Sequence, residues 1–394
     1  MLGILVFALL LLVLLIHGQE LEHLEEHQNC NIDVFHAQDS VNGPILIDTS
    51  PLTPFESPRL SAVNYTAWEQ WYFDSVAADG LSNTVITFFR DPTSHTGLGS
   101  LWVMHDAVWP NGTRSSIITY VDQAQIIQCP GYTYGLWNSS TRSTMFSFNV
   151  TSDLKQASIS ISTAKTKGSW DITTLGPARY PDGLLYPNPG ASTLFVPMCW
   201  WVEAMPAGIV QTSFEIAGSK FAFTGYGGVD YFAGSYIWDY ICRDWYWMRG
   251  VVGPYSIVFW KFTSAIDNNT YTSAFLVQDG SVLFSTQNSE NILATNPLAA
   301  YAKLTLLYGG KVSASMGAND TGYTLDFVEG TKHGGRSWHF DLQHENIGYQ
   351  TDADINDMYT RFADSATGGQ KGRNEYIGAM NSEQILVKVV YPIP

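Results

Sequence analysis

The sequence predicts an all-β protein, and three observations carry that expectation. Short runs rich in Val, Ile, Thr, Tyr, Phe and Trp recur along the chain, and Gly, Asn, Asp and Pro separate them. Within the runs polarity alternates: in "SWHFDLQHE" Trp338, Phe340 and Leu342 face one way while His339, Asp341 and Gln343 face the other. The clearest runs are "TVITFFR", "SSIITYVD", "TMFSFNVTS", "ASISIST", "VQTSFEIAG", "FAFTGYGG", "YSIVFWKF", "TSAFLVQDG" and "YTLDFVEG", which together predict a mostly antiparallel fold. At 394 residues the chain is longer than one hydrophobic core usually supports, so two domains are expected.

Taken in order, residues 1–18 open with an apolar run from Leu2 to Ile16, short for a bilayer crossing and ending at His17, Gly18 and Gln19. They read as a secretory signal peptide cleaved after Gly18, leaving no stable membrane span. Residues 19–45 form a lead-in whose first part, "QELEHLEEHQN", is an acidic, solvated tail. The Pro- and Gly-rich stretch from Leu175 to Pro197 is expected to be a long loop over a surface or a cavity mouth. In "DADINDMYTRFADSAT", Ile355, Met358, Tyr359 and Phe362 fall at helical spacing and Gly368 and Gly369 follow, predicting one late helix. A last strand, "EQILVKVVYPI", comes after it, the order of a lipocalin-like barrel. "WYFDSVAADGLSNTVITFFRDPTS" and "WYWMRGVVGPYSIVFWKFTS" echo each other, which places the domain boundary just before Trp245, with domains at 46–240 and 241–394.

A formal charge of −16 argues against nucleic acid and anionic membrane surfaces as partners. Only 14% of residues are charged and 14% are aromatic, a balance that suits a chain enclosing an apolar ligand. The secretory reading is joined by glycosylation sequons at Asn64, Asn111, Asn138, Asn149, Asn268 and Asn319. Cys30, Cys129, Cys199 and Cys242 lack metal-ligand spacing and could form two disulfides, in any of three pairings.

Two motifs suggest metals and fail on context. "HLEEH" (His23–His27) fits a zinc-protease pattern but lies in the acidic tail, with nothing to enclose an ion. "DADIND" starts like a calcium loop, then has Asp357 where Gly is needed and Ala363 where the closing Glu belongs. What remains are aromatic clusters carrying isolated polar groups: "WEQWYFD", "CWWVEAMPAG", "GYGGVDYF" and "WDYICRDWYWMRG". Trp and Tyr in strands are usually core, but they also wall pockets for large apolar ligands.

At these clusters the chain resembles a known family. "EQWYFDSVAADGLSNTVITFFR" and "RDWYWMRGVVGPYSIVFWKF" resemble signatures of the hydroxyneurosporene-synthase (carotenoid hydratase) and AttH superfamily. Signal peptide, size, motif order and "VVGPYSIVFW" look most like its fungal Diels–Alderases of polyketide–nonribosomal peptide pathways. The resemblance implies an N-terminal β-sandwich, a C-terminal lipocalin-like β-barrel, and a substrate bound between and within them. Asp230 matches the family's Asp, whereas Tyr231 stands where a His is often found and Ala233 where a Trp is, which counts against hydration chemistry.

The implied reaction is an intramolecular [4+2] cycloaddition of a linear polyene with a tetramic-acid or pyrrolinone head group, needing no metal or cofactor. Trp71, Tyr72, Tyr226, Tyr231, Trp245 and Trp247 are the expected pocket walls. Arg243, Tyr246 or Tyr231 would donate to the head-group carbonyl, and Glu69, Glu203 or Asp230 would orient those donors. A secreted lipocalin-like carrier and a hydratase using Asp230 and Glu69 are the competing readings.

Overall fold

The computed structural model describes residues 30–93, 98–314, 319–330, 334–351 and 356–393. The signal peptide, the acidic tail and "HLEEH" lie outside the described residues. Two antiparallel sheets account for the fold. The first, of 13 strands, runs from Asn31–His36 at one edge to Arg114–Tyr120 at the other. Its centre is the long hairpin Cys199–Ile216 and Ser219–Ser235, with Ala67–Ala77 beside it. The expected sandwich is thus one continuous sheet folded over on itself. Trp71 and Phe88 from one layer meet Trp137 of the other edge-on, at ring separations of 5.2 Å each.

Nine strands form the second sheet, which begins in sequence with Cys242–Val252 and is a nearly closed barrel. Its edge strands approach through the turn after Ser281–Thr286, where the Ala302 amide donates to the Asn288 carbonyl.

The expected late helix is a strand. Asp357–Gln370 pairs with Ser337–Gln350 on one side and Tyr376–Val387 on the other. Phe362 and Ala366 pack inside the barrel, while Tyr359 joins the aromatic cluster between the sheets. With apolar groups on both faces the alternation disappears, and the remaining spacing imitates a helix. Gly368 is part of the same strand: a Cβ there would lie 2.1 Å from the His339 carbonyl, so the glycine permits close backbone approach. Among the described residues, helix is confined to one turn at Trp238–Ile241 and a 3-10 turn at Glu290–Ala294.

Cys30 and Cys129 form a disulfide tying the edge strand to its neighbour, and Cys199 and Cys242 lie buried. The Leu175–Pro197 segment does not border the cavities described below; it straddles the seam, with Arg179 buried between the sheets and hydrogen-bonded to Ser273 of the barrel. Of the sequons, Asn111, Asn268 and Asn319 are exposed and Asn64 and Asn149 half-buried. Asn138 is buried, so its amide is not available to carry a glycan in the folded chain.

Candidate active site

The two sheets meet along Ala67–Ala77, Ser219–Ser235 and Cys242–Val252, and strand alternation decides which side chains reach the seam. In Ala67–Ala77 the odd positions Glu69, Trp71 and Phe73 enter the core of the first sheet. The even positions Trp68, Gln70, Tyr72 and Asp74 face the second. Between the sheets lies a cavity of about 420 Å³. Its walls include Trp68, Phe89, Trp102, Trp238, Trp245 and Tyr359, with Arg361 and Glu383 among its polar lining. A smaller space of about 40 Å³ adjoins it, bounded by Trp201, Asp230, Phe232, Trp247 and Trp260.

The aromatic wall is interlocked. Trp238 stacks on Phe232 at 5.6 Å and meets Trp245 edge-on at 4.5 Å, and Trp245 meets Trp260 at 5.7 Å. Such contacts add about 0.5–1.5 kcal/mol per pair beyond burial and hold the rings in fixed orientations. The indole N–H groups of Trp245 and Trp260 are buried without an acceptor among the described residues. Each unpaired donor costs on the order of 1–3 kcal/mol, a cost that a ligand oxygen would remove.

Beneath this wall runs a buried layer of charge. Glu203 and Asp230 are directly opposed across the central hairpin, a placement that would repel without a cation between them. Arg249 supplies it from the second sheet: its guanidinium binds Asp74 at 2.5 Å, Glu203 at 2.8 Å, and Asp230. Gly228 makes the space, since a Cβ there would lie 2.4 Å from Arg249 Nη1. Arg179 binds Glu203 from the other side. Three carboxylates thus face two guanidiniums. Burial, reinforced by Glu203 and Asp74 and opposed by Arg249, pushes the Asp230 carboxyl up to about 8, so it retains a proton near neutrality.

A second buried polar group contributes to the cavity lining. Arg361 binds Asp106 at 2.7 Å, Glu383 at 2.6 Å and the Tyr359 hydroxyl at 2.5 Å, and Tyr72 donates to the same Glu383 oxygen. Burial raises the Tyr72 phenol well above its ordinary range, keeping it a neutral donor.

Tyr72, Trp245 and Trp247 line the cavities, and Asp230 borders the smaller one. The other candidates fall elsewhere. Trp71 and Tyr231 pack in the core of the first sheet. Glu69 is buried there too, accepting from the Arg59 and Leu60 amides, the Tyr231 hydroxyl and Arg90, which makes it a structural anchor. Glu203 belongs to the charge layer and not to the cavity wall. Tyr226 packs against a separate apolar patch around Val76 and Ala363. Tyr246 points into the barrel, 6.0 Å from Tyr323. Arg243 is the extra residue of a bulge, which turns it outward to bond Asn268 at 2.9 Å. The cavity residues that sequence reasoning passed over include Gln70, Trp238, Trp260, Arg361 and Glu383.

Comparison with known proteins gives a consistent result. The Diels-Alderase-like family model matches residues 27–388. The Diels-Alderase cheD of Chaetomium globosum is 33% identical over 344 residues, covering 87% of this chain and 79% of its own. The Diels-Alderase phmD of Phaeosphaeria nodorum is 31% identical, covering 87% of this chain and 94% of its own. Among solved structures, CghA with Sch210972 superposes with a TM-score of 0.77 at 21% identity, covering 91% of this chain and 99% of that one.

Proposed function

The chain belongs to the Diels-Alderase-like family, and from that premise we propose that it is a pericyclase catalysing an intramolecular [4+2] cycloaddition. The observation that carries the reading is the aromatic cavity between the sheets, with the linked polar groups Tyr72, Arg361 and Glu383 in its lining. An intramolecular cycloaddition transfers no net proton and expels no leaving group. Its barrier comes largely from folding a flexible chain into one reactive shape. Rigid walls that admit only that shape can supply several kcal/mol by holding diene and dienophile in near-attack geometry. A hydrogen bond to the dienophile carbonyl strengthens as charge shifts onto that oxygen, adding electrostatic stabilisation.

The substrate we propose is a linear polyene with a heterocyclic tetramic-acid or pyrrolinone head, made by a polyketide–nonribosomal peptide pathway and closed to a decalin or an isoindolone. The apolar wall suits the polyene and the Tyr72, Arg361 and Glu383 group suits the head. Passage through the secretory pathway is part of the same reading, supported by the Cys30–Cys129 disulfide and the exposed Asn111, Asn268 and Asn319. Treatment with an endoglycosidase, read as a mobility shift of the mature protein, tests that part.

The function is tested by expressing the gene with and without the cognate synthase in a clean fungal host and analysing the metabolites by mass and NMR. A single cyclised isomer of unchanged mass, formed only with the protein present, is the expected result. A gain of the mass of water would point instead to the hydratase, for which protonated Asp230 is the available acid. Unchanged product would leave a carrier.

A further inference from the structure

Four residues, Gln70, Tyr72, Trp245 and Glu383, line both the large and the small cavity, so they form the neck where the two meet. Tyr72 and Glu383 are committed to each other and to Arg361. Gln70 is different: its carboxamide is half-buried and has no side-chain hydrogen bond among the described residues. Trp245, which lines the same neck, has its Nε1 buried and also without an acceptor among the described residues. The neck therefore offers two unused donors to whatever occupies it.

Its surroundings restrict the occupant. Among the described residues lining the large cavity, Asp91, Asp239 and Glu383 are acids and Arg361 is the one cation. Arg361 already bridges Asp106 and Glu383, so its charge is compensated from within the protein. Asp230, Asp74 and Glu203 lie on the small-cavity side, balanced by Arg249 and Arg179. An anion placed here would meet acidic walls and no cation in reserve.

We propose that the neck is a carbonyl-binding site in which Gln70 and Trp245 donate to one oxygen of a neutral lactam head group, and that an ionised acyl-tetramate head is disfavoured there. The inference rests on the pericyclase reading of this cavity and narrows it from two head-group classes to one. The carbonyl bound at the neck is the one conjugated to the dienophile, so these two donors also polarise the reacting bond. Gln70 can present either amide nitrogen or oxygen, which lets it accept from the lactam N–H if the head is rotated.

The test uses the whole protein and three probes with the same twelve-carbon chain: a 3-acyl-pyrrolin-2-one, a 3-acyl-tetramic acid ionised at neutral pH, and 1-dodecanol. Binding is read from quenching of tryptophan fluorescence. The lactam should bind at least about 10-fold more tightly than the tetramate. Gln70→Leu should weaken the lactam by about 10-fold and leave dodecanol unchanged. Trp245→Phe, which keeps an aromatic ring but removes the N–H together with the pyrrole part of the indole, should weaken the lactam more than dodecanol and covers the case in which Gln70→Leu misfolds. Tetramate binding equal to or tighter than the lactam overturns the proposal, as does lactam affinity that both substitutions leave intact. If none of the three probes binds, the cavity is not the substrate site and the pericyclase reading falls with this one. If lactam and dodecanol bind as described but the polyene is not cyclised, only the pericyclase reading falls.

Discussion

Replacing Asp230 by Asn should change the pH dependence of stability more than stability itself. Asp230 holds its proton up to about 8 in the folded chain, against an ordinary value of 3.8. Between roughly pH 4 and pH 8 the native state therefore keeps a proton that the unfolded state has lost, and stability falls as pH rises through that window. The limiting slope for one group is about 1.4 kcal/mol per pH unit. Because Arg249 is shared with Asp74 and Glu203, a slope of about 1 kcal/mol per unit is the working value. Asp230→Asn removes it, since the amide resembles the protonated carboxyl and does not titrate. Relative to the parent, the variant should gain about 3 kcal/mol between pH 5 and pH 8, or roughly 4 °C in Tm for a chain of this size. Urea denaturation at unit pH steps, followed by tryptophan fluorescence, measures the difference directly. Parallel pH profiles for the two proteins would refute the argument that Asp230 carries the excess proton of the layer.

Arg249→Met should cost about 3–5 kcal/mol, because Asp74, Glu203 and Asp230 lose the buried cation they share, and the loss should show as a lowered urea midpoint. His344 is buried between Asp320 and Asp364; burial opposes its charge, but the two carboxylates push it up to about 8. The stability it contributes is complete below about pH 6.5 and is lost as pH rises through 8, about 2 kcal/mol in all, and His344→Gln should flatten that part of the denaturation profile. Trp247→Ala widens the small cavity and should slow cyclisation by about 100-fold in an assay of turnover, with folding retained by circular dichroism. Arg243→Ala, at an exposed bulge, should leave turnover unchanged and stability within about 0.5 kcal/mol.

The strands were legible in the sequence because most have one wet face, and alternation records it. The same signal failed where both faces are covered. Asp357–Gln370 lost its period and read as a helix, and Arg361 was hidden with it. In Ala67–Ala77 both faces are buried, so nothing local says which of Trp71 and Tyr72 meets the other sheet. That choice is made by the partner surface, and it separated Tyr72 from Trp71 and Glu69. For Arg243 the bulge at Cys242–Asp244 turned the side chain outward, a one-residue event that a regular strand reading does not contain. One usable signal was passed over. A chain with 20 basic residues places Arg249 in "WMRGVV" and Arg361 in "YTRFAD", each next to large apolar residues, where a cation needs a buried partner.

The charge layer bears on catalysis through geometry. A buried ion cluster contributes little net stability compared with well-packed apolar residues, so its presence at the seam calls for another explanation. Arg249 reaches from one sheet to three acids on the other, and Arg361 joins Asp106 of the first sheet to Glu383 of the second. Such directional contacts fix how the sheets register, whereas aromatic packing alone tolerates sliding. For a reaction whose barrier is mainly the cost of reaching one shape, a wall displaced by an ångström admits other folds of the substrate. Loosening the seam should therefore be seen first in stereochemistry. Glu383→Gln keeps the volume and weakens the Arg361 link, and should broaden the ratio of cycloadduct isomers before the total rate falls. A variant that slows while still giving one isomer would show that the layer acts on the reacting bond and not on the register of the walls.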